Sequence, residues 1–215
     1  MQDTYRHLGM RRRLIETLRQ KGIQSERVLS AMLNVPRHFF MDKAFEEFAY
    51  EDKAFPIEQD QTISHPYTVA FQTQLLQLKK RETVLEIGTG SGYQACVLAE
   101  LGGRVYTIER QKQLYLSAQR MFEQLGYLGI RSYFRDGYKG LAELAPFDKI
   151  LVTAGATSIP AALAQQLKIG GQLVIPLGTS NKQTMYRITR MTETEFQKES
   201  FSSFQFVPFL KGKVY

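Results

Sequence analysis

Between Val84 and Tyr93 the chain reads Val-Leu-Glu-Ile-Gly-Thr-Gly-Ser-Gly-Tyr. A β-branched apolar run breaks into three alternating glycines, and apolar residues then resume at helical spacing with Ala95, Leu98, Ala99 and Leu101. That pattern is a strand, a tight turn and a helix. The glycines permit positive φ and remove the Cβ atoms that keep a ligand away from the main chain, while the helix N-terminus offers unpaired N–H groups. Few folds accommodate such a unit other than a sheet with helical crossovers.

A second apolar run, Val105-Tyr106-Thr107-Ile108, ends in Glu109. This acid falls about 20 residues past the first glycine, where a carboxylate accepts both hydroxyls of a ribose. A free diol therefore suits it better than a 2′-phosphate. Dinucleotide sites usually carry G-x-G-x-x-G, whose third glycine lets helix and strand close around a pyrophosphate. Here the order is Gly88-x-Gly90-x-Gly92, preceded by Glu86. A carboxylate just before the turn repels a pyrophosphate but suits a cationic amino-acid end and a sulfonium. S-adenosylmethionine is the expected cofactor, ahead of NAD.

The rest of the chain is consistent with one α/β domain. Leu8, Leu14, Ile15 and Leu18 mark a helix that Gly22 ends, and Ser25 caps a second helix carrying Val28, Leu29, Met32 and Leu33 up to Pro36. From 39 to 63 there is little periodicity, and Ser64-His65-Pro66 opens a further helix. Strands are expected at 83–87, 104–109, 130–135, 147–153 and 172–177, with helices at 93–101, 111–125 and 160–167, the last ended by Gly170-Gly171. Runs at 184–191 and 204–209 lack an intervening helix and read as antiparallel additions. The expectation is a Rossmann-like α/β fold for S-adenosylmethionine, mostly parallel, with an N-terminal helical segment (1–80) packed on a core (81–215). Ligands in such sheets sit beyond the carboxyl ends of the strands, which here carry Glu86, Glu109, Asp136-Gly137 and Thr153-Ala154. Asp136 there is either an adenine acceptor or an ordinary turn residue.

Composition excludes several classes. No run of 18 apolar residues occurs and the opening stretch is charged, so neither a membrane span nor a secretory signal is read, and a cytoplasmic protein is expected. The single cysteine, Cys96, rules out an intrachain disulfide or a cysteine metal cluster, and no metal site is read. The net charge of +7 raises the question of nucleic acid. Residues 1–60 hold 10 basic and 10 acidic groups, 61–181 hold 12 and 8, and 182–215 hold 6 and 3, so the excess is spread thinly. Nucleic acid is not an expected partner, and a monomer is expected.

The chemistry falls to Gln61-Thr62-Ile63-Ser64, just upstream of the first core strand. Two hydroxyls at i and i+2 project to one side of an extended chain. Taken alone, Ser64 is equally well a helix cap. No nucleophile elbow surrounds it.

Tyr50-Glu51-Asp52, Phe55-Pro56-Ile57, Gln61-Thr62-Ile63-Ser64 and Val84 to Ala95 together resemble the protein-L-isoaspartate O-methyltransferase family. Val35-Pro36-Arg37-His38-Phe39-Phe40, Arg135-Asp136-Gly137, Ala145-Pro146-Phe147-Asp148, Gly170 to Pro176 and Phe206-Val207-Pro208-Phe209 are similar to it as well. The resemblance covers about residues 8 to 210. It implies transfer of a methyl group from S-adenosylmethionine to the α-carboxyl of L-isoaspartyl residues in damaged proteins and peptides, which starts repair through a succinimide. Ser64 would hold the carboxylate and Thr62 the substrate backbone, with Thr153, Ala154 and Val207 on the substrate side. Glu86, Gly88, Thr89 and Gly90 would hold the methionine end of the cofactor, Glu109 the ribose, Asp136 and Gly137 the adenine, and Ser64 and His65 would bind the cofactor as well. Asp60 and His65 depart from the family pattern, which has glycine and a glutamine or small residue there. Two other readings stay open: a methyltransferase for RNA or a small molecule, and a cofactor-binding module without catalysis.

Overall fold

The computed structural model describes residues 2–179 and 182–215. Helix α1 (Tyr5–Gln20) starts at Thr4, whose hydroxyl accepts from the His7 N–H, and buries Leu14, Ile15 and Leu18. Helix α2 (Glu26–Asn34) starts where the Ser25 hydroxyl accepts from Val28 N–H. It stops at Val35 because the following proline pushes that residue out of the helical region. Two 3₁₀ turns, Arg37–Phe40 and Lys43–Phe48, lead to a two-residue antiparallel pair, β1 (Phe55–Pro56) and β2 (Thr62–Ile63). Helix α3 (Pro66–Leu76) follows.

Strands β3 (Thr83–Ile87), β4 (Arg104–Glu109), β5 (Arg131–Phe134), β6 (Phe147–Val152) and β7 (Leu167–Thr179) then alternate with helices α4 (Tyr93–Glu100), α5 (Lys112–Gln124) and α6 (Ala161–Gln165). Two long hairpin strands, β8 (Lys182–Arg190) and β9 (Phe196–Phe204), complete a sheet in the order β5-β4-β3-β6-β7-β8-β9. The first five are mutually parallel, and β8 and β9 pair antiparallel. Chain order runs outward in one direction from β3 through β4 to β5 and in the other from β6, so the crevice between β3 and β6 is the switch point where such sheets bind ligands. The glycine turn follows β3 directly.

Strand periodicity divides the core. Val84, Val105, Leu151 and Val174 point to the face covered by α1, α2, α3 and α4. Leu85, Ile87, Ile108, Ile150, Val152, Leu173 and Ile175 point to the other. Both faces of the central strands are therefore buried, as a parallel sheet between helical layers requires.

Two expectations are corrected. The last strand is Phe196–Phe204 and not 204–209, because the latter segment leaves the sheet: Gly155 N–H donates to Val207 O and Phe209 N–H to Gly155 O. Gly170-Gly171 does not separate helix from strand. Strand β7 already begins at Leu167, and the glycines lie in an outward irregularity where Phe147 pairs with Leu167 but Lys149 with Gln172.

Candidate functional site

A cleft of about 940 Å³, including its open mouth, lies over the switch point. Its floor is the glycine turn. Gly88 has φ +100°, and a Cβ there would stand 2.5 Å from Thr153 Oγ1, so only glycine fits. Thr153 braces the same turn, its hydroxyl lying 2.9 Å from Ile87 O and 2.8 Å from Gly88 O. Gly92, with φ +90°, leaves room for the Phe122 ring of α5, which a Cβ would meet at 2.7 Å.

Glu109 ends β4 beside this floor. One carboxylate oxygen accepts from Gly90 N–H (2.9 Å), the other from Arg110 N–H (2.8 Å) and Gln111 N–H (2.9 Å). Burial raises its pKa above the ordinary carboxylate value although all three donors oppose that shift. Tied to the turn and facing the cleft, it is placed to accept hydroxyls at a fixed distance from the glycines.

Glu86 lies deeper. It is fully buried and does not line the cleft. Thr107 Oγ1 donates to its Oε2 at 2.6 Å, and Oε1 has no hydrogen-bond partner among the described residues. Desolvation, with a smaller contribution from Glu109 and against the Thr107 bond, pushes its pKa up to about 8.

The segment before α3 supplies the opposite wall. Helix α3 starts at Pro66, and its free N–H at Tyr67 is satisfied from a distance: Asp52 Oδ1 accepts it at 2.8 Å, while Lys21 holds the other oxygen at 2.6 Å. His65 occupies the cap position without a side-chain cap bond. Ser64 is thus not the cap. It lines the cleft half-buried, and its hydroxyl makes no hydrogen bond to another described residue.

The fold brings Thr62, Ser64, Gly88, Thr89, Gly90, Glu109, Gly137, Thr153, Ala154 and Val207 into one lining. His65 is exposed outside it, and Asp136 lies behind Gly137, its Oδ1 accepting from Tyr138 N–H at 3.0 Å. Asp60 is also exposed and outside the lining. It adopts φ +53° next to Gln59 at +61°, a left-handed pair that explains why glycine suits this position and why an aspartate is tolerated. Sequence reasoning passed over Gln72, Gln94, Gln111 and Arg110. Gln72 Nε2 donates to Val152 O (2.9 Å), and Gln94 donates to Thr73 Oγ1 (3.0 Å), while its buried Oε1 has no partner among the described residues. Glutamines on otherwise apolar helix faces were the available signal. Arg110 donates to the carbonyls of Lys211 and Gly212 and so draws the C-terminal segment along the rim.

A doubly wound sheet with an antiparallel C-terminal pair, and a glycine turn backed by an acidic strand end at the switch point, defines a Rossmann-like methyltransferase fold. Residues 10–214 match the family model described as protein-L-isoaspartate(D-aspartate) O-methyltransferase. The chain belongs to this family. It is 56% identical over 213 residues to the protein-L-isoaspartate O-methyltransferase of Christiangramia forsetii, covering 99% of this chain and all of that one, with 100% matched. The enzyme of the same name from Flavobacterium johnsoniae is 54% identical over the same length, with the same coverage of 99% and 100%. A Plasmodium falciparum structure described under the same activity, in complex with S-adenosyl-L-homocysteine, superposes with a TM-score of 0.82 at 26% identity, covering 93% of this chain and 97% of that one. Among the described residues no helix is long and apolar enough to cross a membrane.

Proposed function

We propose that this chain transfers a methyl group from S-adenosylmethionine to the α-carboxyl of L-isoaspartyl residues in damaged proteins and peptides. The observation that carries the reading is the Ser64 hydroxyl, released from capping by Asp52 and lining one cleft with Gly88, Gly90 and Glu109.

The residues fit the cofactor. Gln94 lines the cleft, its buried Oε1 has no hydrogen-bond partner among the described residues, and a buried acceptor of this kind calls for a donor. Bound here, S-adenosylmethionine supplies an electrophilic methyl group. Gly88, Thr89 and Gly90, with Glu86 beneath them, take its cationic amino-acid end; Glu109 takes the ribose hydroxyls, and Gly137 with Asp136 takes the adenine. His65 stands at the outer edge.

The substrate carboxylate is ionised at neutral pH and is already a nucleophile, so the chain needs to supply alignment and exclusion of water, not a base. Ser64 donates a hydrogen bond that orients the attacking oxygen. Thr62 bonds the substrate backbone, and Thr153, Ala154 and Val207 line its path. Away from the enzyme, the backbone nitrogen following the esterified residue attacks the ester carbonyl, methanol leaves, and the succinimide opens partly to aspartate. The same reading has the protein act as a cytoplasmic monomer, its exposed cations solvated and not bound to nucleic acid.

The test is incubation with methyl-labelled S-adenosylmethionine and paired peptides that differ only in an isoaspartyl or aspartyl linkage. Base-labile label on the isoaspartyl peptide alone is expected. Transfer to neither peptide overturns the proposal.

A further inference from the structure

Thr89, Thr107 and Glu86 stand in single file from the cleft wall into the core. Thr89 lines the cleft, and its Oγ1 is 2.7 Å from Thr107 Oγ1, which is in turn 2.6 Å from Glu86 Oε2. Thr107 and Glu86 are fully buried, at 0% exposure. A strand position inside such a core ordinarily takes valine, which has the shape of threonine without its hydroxyl. Among the described residues the hydroxyl at 107 hydrogen-bonds to the two groups it links and to no other.

Each threonine has one proton to give, so the file has a direction. With Glu86 ionised, Thr107 donates to the carboxylate and must accept from Thr89. The lone pairs of Thr89 then remain for the cleft. With Glu86 protonated on Oε2, the file reverses and Thr89 turns its proton outward. Both states are within reach near neutral pH, because burial holds Glu86 at about 8. The other titratable groups around it are Glu109 across the glycine turn, which disfavours its ionised form, and Cys96 on α4, whose thiol burial keeps protonated.

We propose that Thr107 is a positioning residue for the cofactor, carrying the negative end of Glu86 to Thr89 so that the cleft wall offers an acceptor to a cationic amino-acid end. The proposal rests on the reading of the cleft as the S-adenosylmethionine site. It makes Thr107, which never meets the ligand, necessary for tight binding, and it couples binding to the loss of one proton from Glu86 to solvent.

Binding of S-adenosylmethionine to the full-length protein, measured by calorimetry between pH 6 and 9, tests this. Wild-type affinity should rise with pH as Glu86 ionises. Thr107→Val should bind roughly tenfold more weakly, the loss expected when a hydrogen bond to a charged group is removed, and its rise should move to higher pH because the carboxylate has lost a donor. Thr107→Ser, which keeps the hydroxyl, should restore both affinity and pH profile. Thermal melts without ligand check folding, and Thr89→Ala provides a second route should the valine variant misfold: it must lose affinity at high pH by a similar factor. Wild-type affinity and profile in Thr107→Val, or in Thr89→Ala, overturn the relay alone, as does a Thr107→Ser variant as weak as Thr107→Val. Wild-type protein that takes up no S-adenosylmethionine overturns the reading of the cleft and the relay with it.

Discussion

Ser64 and Glu86 show how position assigns tasks to ordinary side chains. Asp52 reaches across 15 residues to cap α3, which leaves the Ser64 hydroxyl free for a ligand. Ser64→Ala should therefore lower turnover by about ten- to a hundredfold, a cost typical of removing one orienting donor, with little change in cofactor affinity. Steady-state kinetics beside direct cofactor binding would check this, and equal loss of both would mark a structural serine. Glu86 behaves oppositely. Its folded pKa lies above the unfolded value, so the folded state binds more protons between about 4.5 and 8, and its contribution to stability falls as pH rises through that window. Glu86→Gln should raise the melting temperature at pH 8 while weakening S-adenosylmethionine. Melts and titrations at that pH read both, and a lower melting temperature would contradict the account. The glycine turn and Glu109 were legible in the sequence because each residue there meets a local steric or charge demand. The cap from Asp52 was not, since its partner lies beyond any local pattern.

Among the elements, α1 is fastened to the following 3₁₀ turns by polar groups. Arg11 holds both Asp3 oxygens at 3.2 and 2.8 Å, and donates to Tyr50 Oη, which lies 2.7 Å from His38 Nδ1. The rings of His7 and His38 meet tilted at 31°, with centroids 3.9 Å apart. Asp3, His7 and His38 bring donor atoms within 4.8 Å, yet the guanidinium already occupies the carboxylate, so the group works as a clasp. Burial, reinforced by His7, holds His38 below its ordinary value of 6.5. The unfolded chain then binds more protons, and stability falls as pH drops through 6.5. Melting temperatures at pH 7.5 and 5.5 should show this fall, smaller in His38→Gln; equal falls in both proteins would rule His38 out as its source. Elements with strong periodicity, such as β3, β4 and α5, could be read from the sequence to within a residue or two. The last strand could not. Phe196–Phe204 is an exposed edge rich in polar residues, while beyond it Phe209 packs on Gly137 and stacks on the Tyr138 ring at 4.1 Å.

At the scale of the whole molecule, strand order performs the assembly. Segments near residues 62, 88, 109, 137, 153 and 207, scattered along the chain, meet at one crevice because β3 is central and its neighbours lead outward in opposite directions. Periodicity identified the strands, and the switch-point rule placed the site at their carboxyl ends. What periodicity could not supply was the far wall, which depends on the irregular segment 37–65 folding back over the sheet. On the proposed mechanism this wall and the glycine turn form one reaction site. A crystal structure of the protein with S-adenosylhomocysteine and an isoaspartyl peptide tests it most directly. The product's ribose should lie on Glu109 and its sulfur should face the peptide α-carboxylate, held by the Ser64 hydroxyl. A cofactor product seated elsewhere, or a Ser64 turned away from that carboxylate, would contradict it.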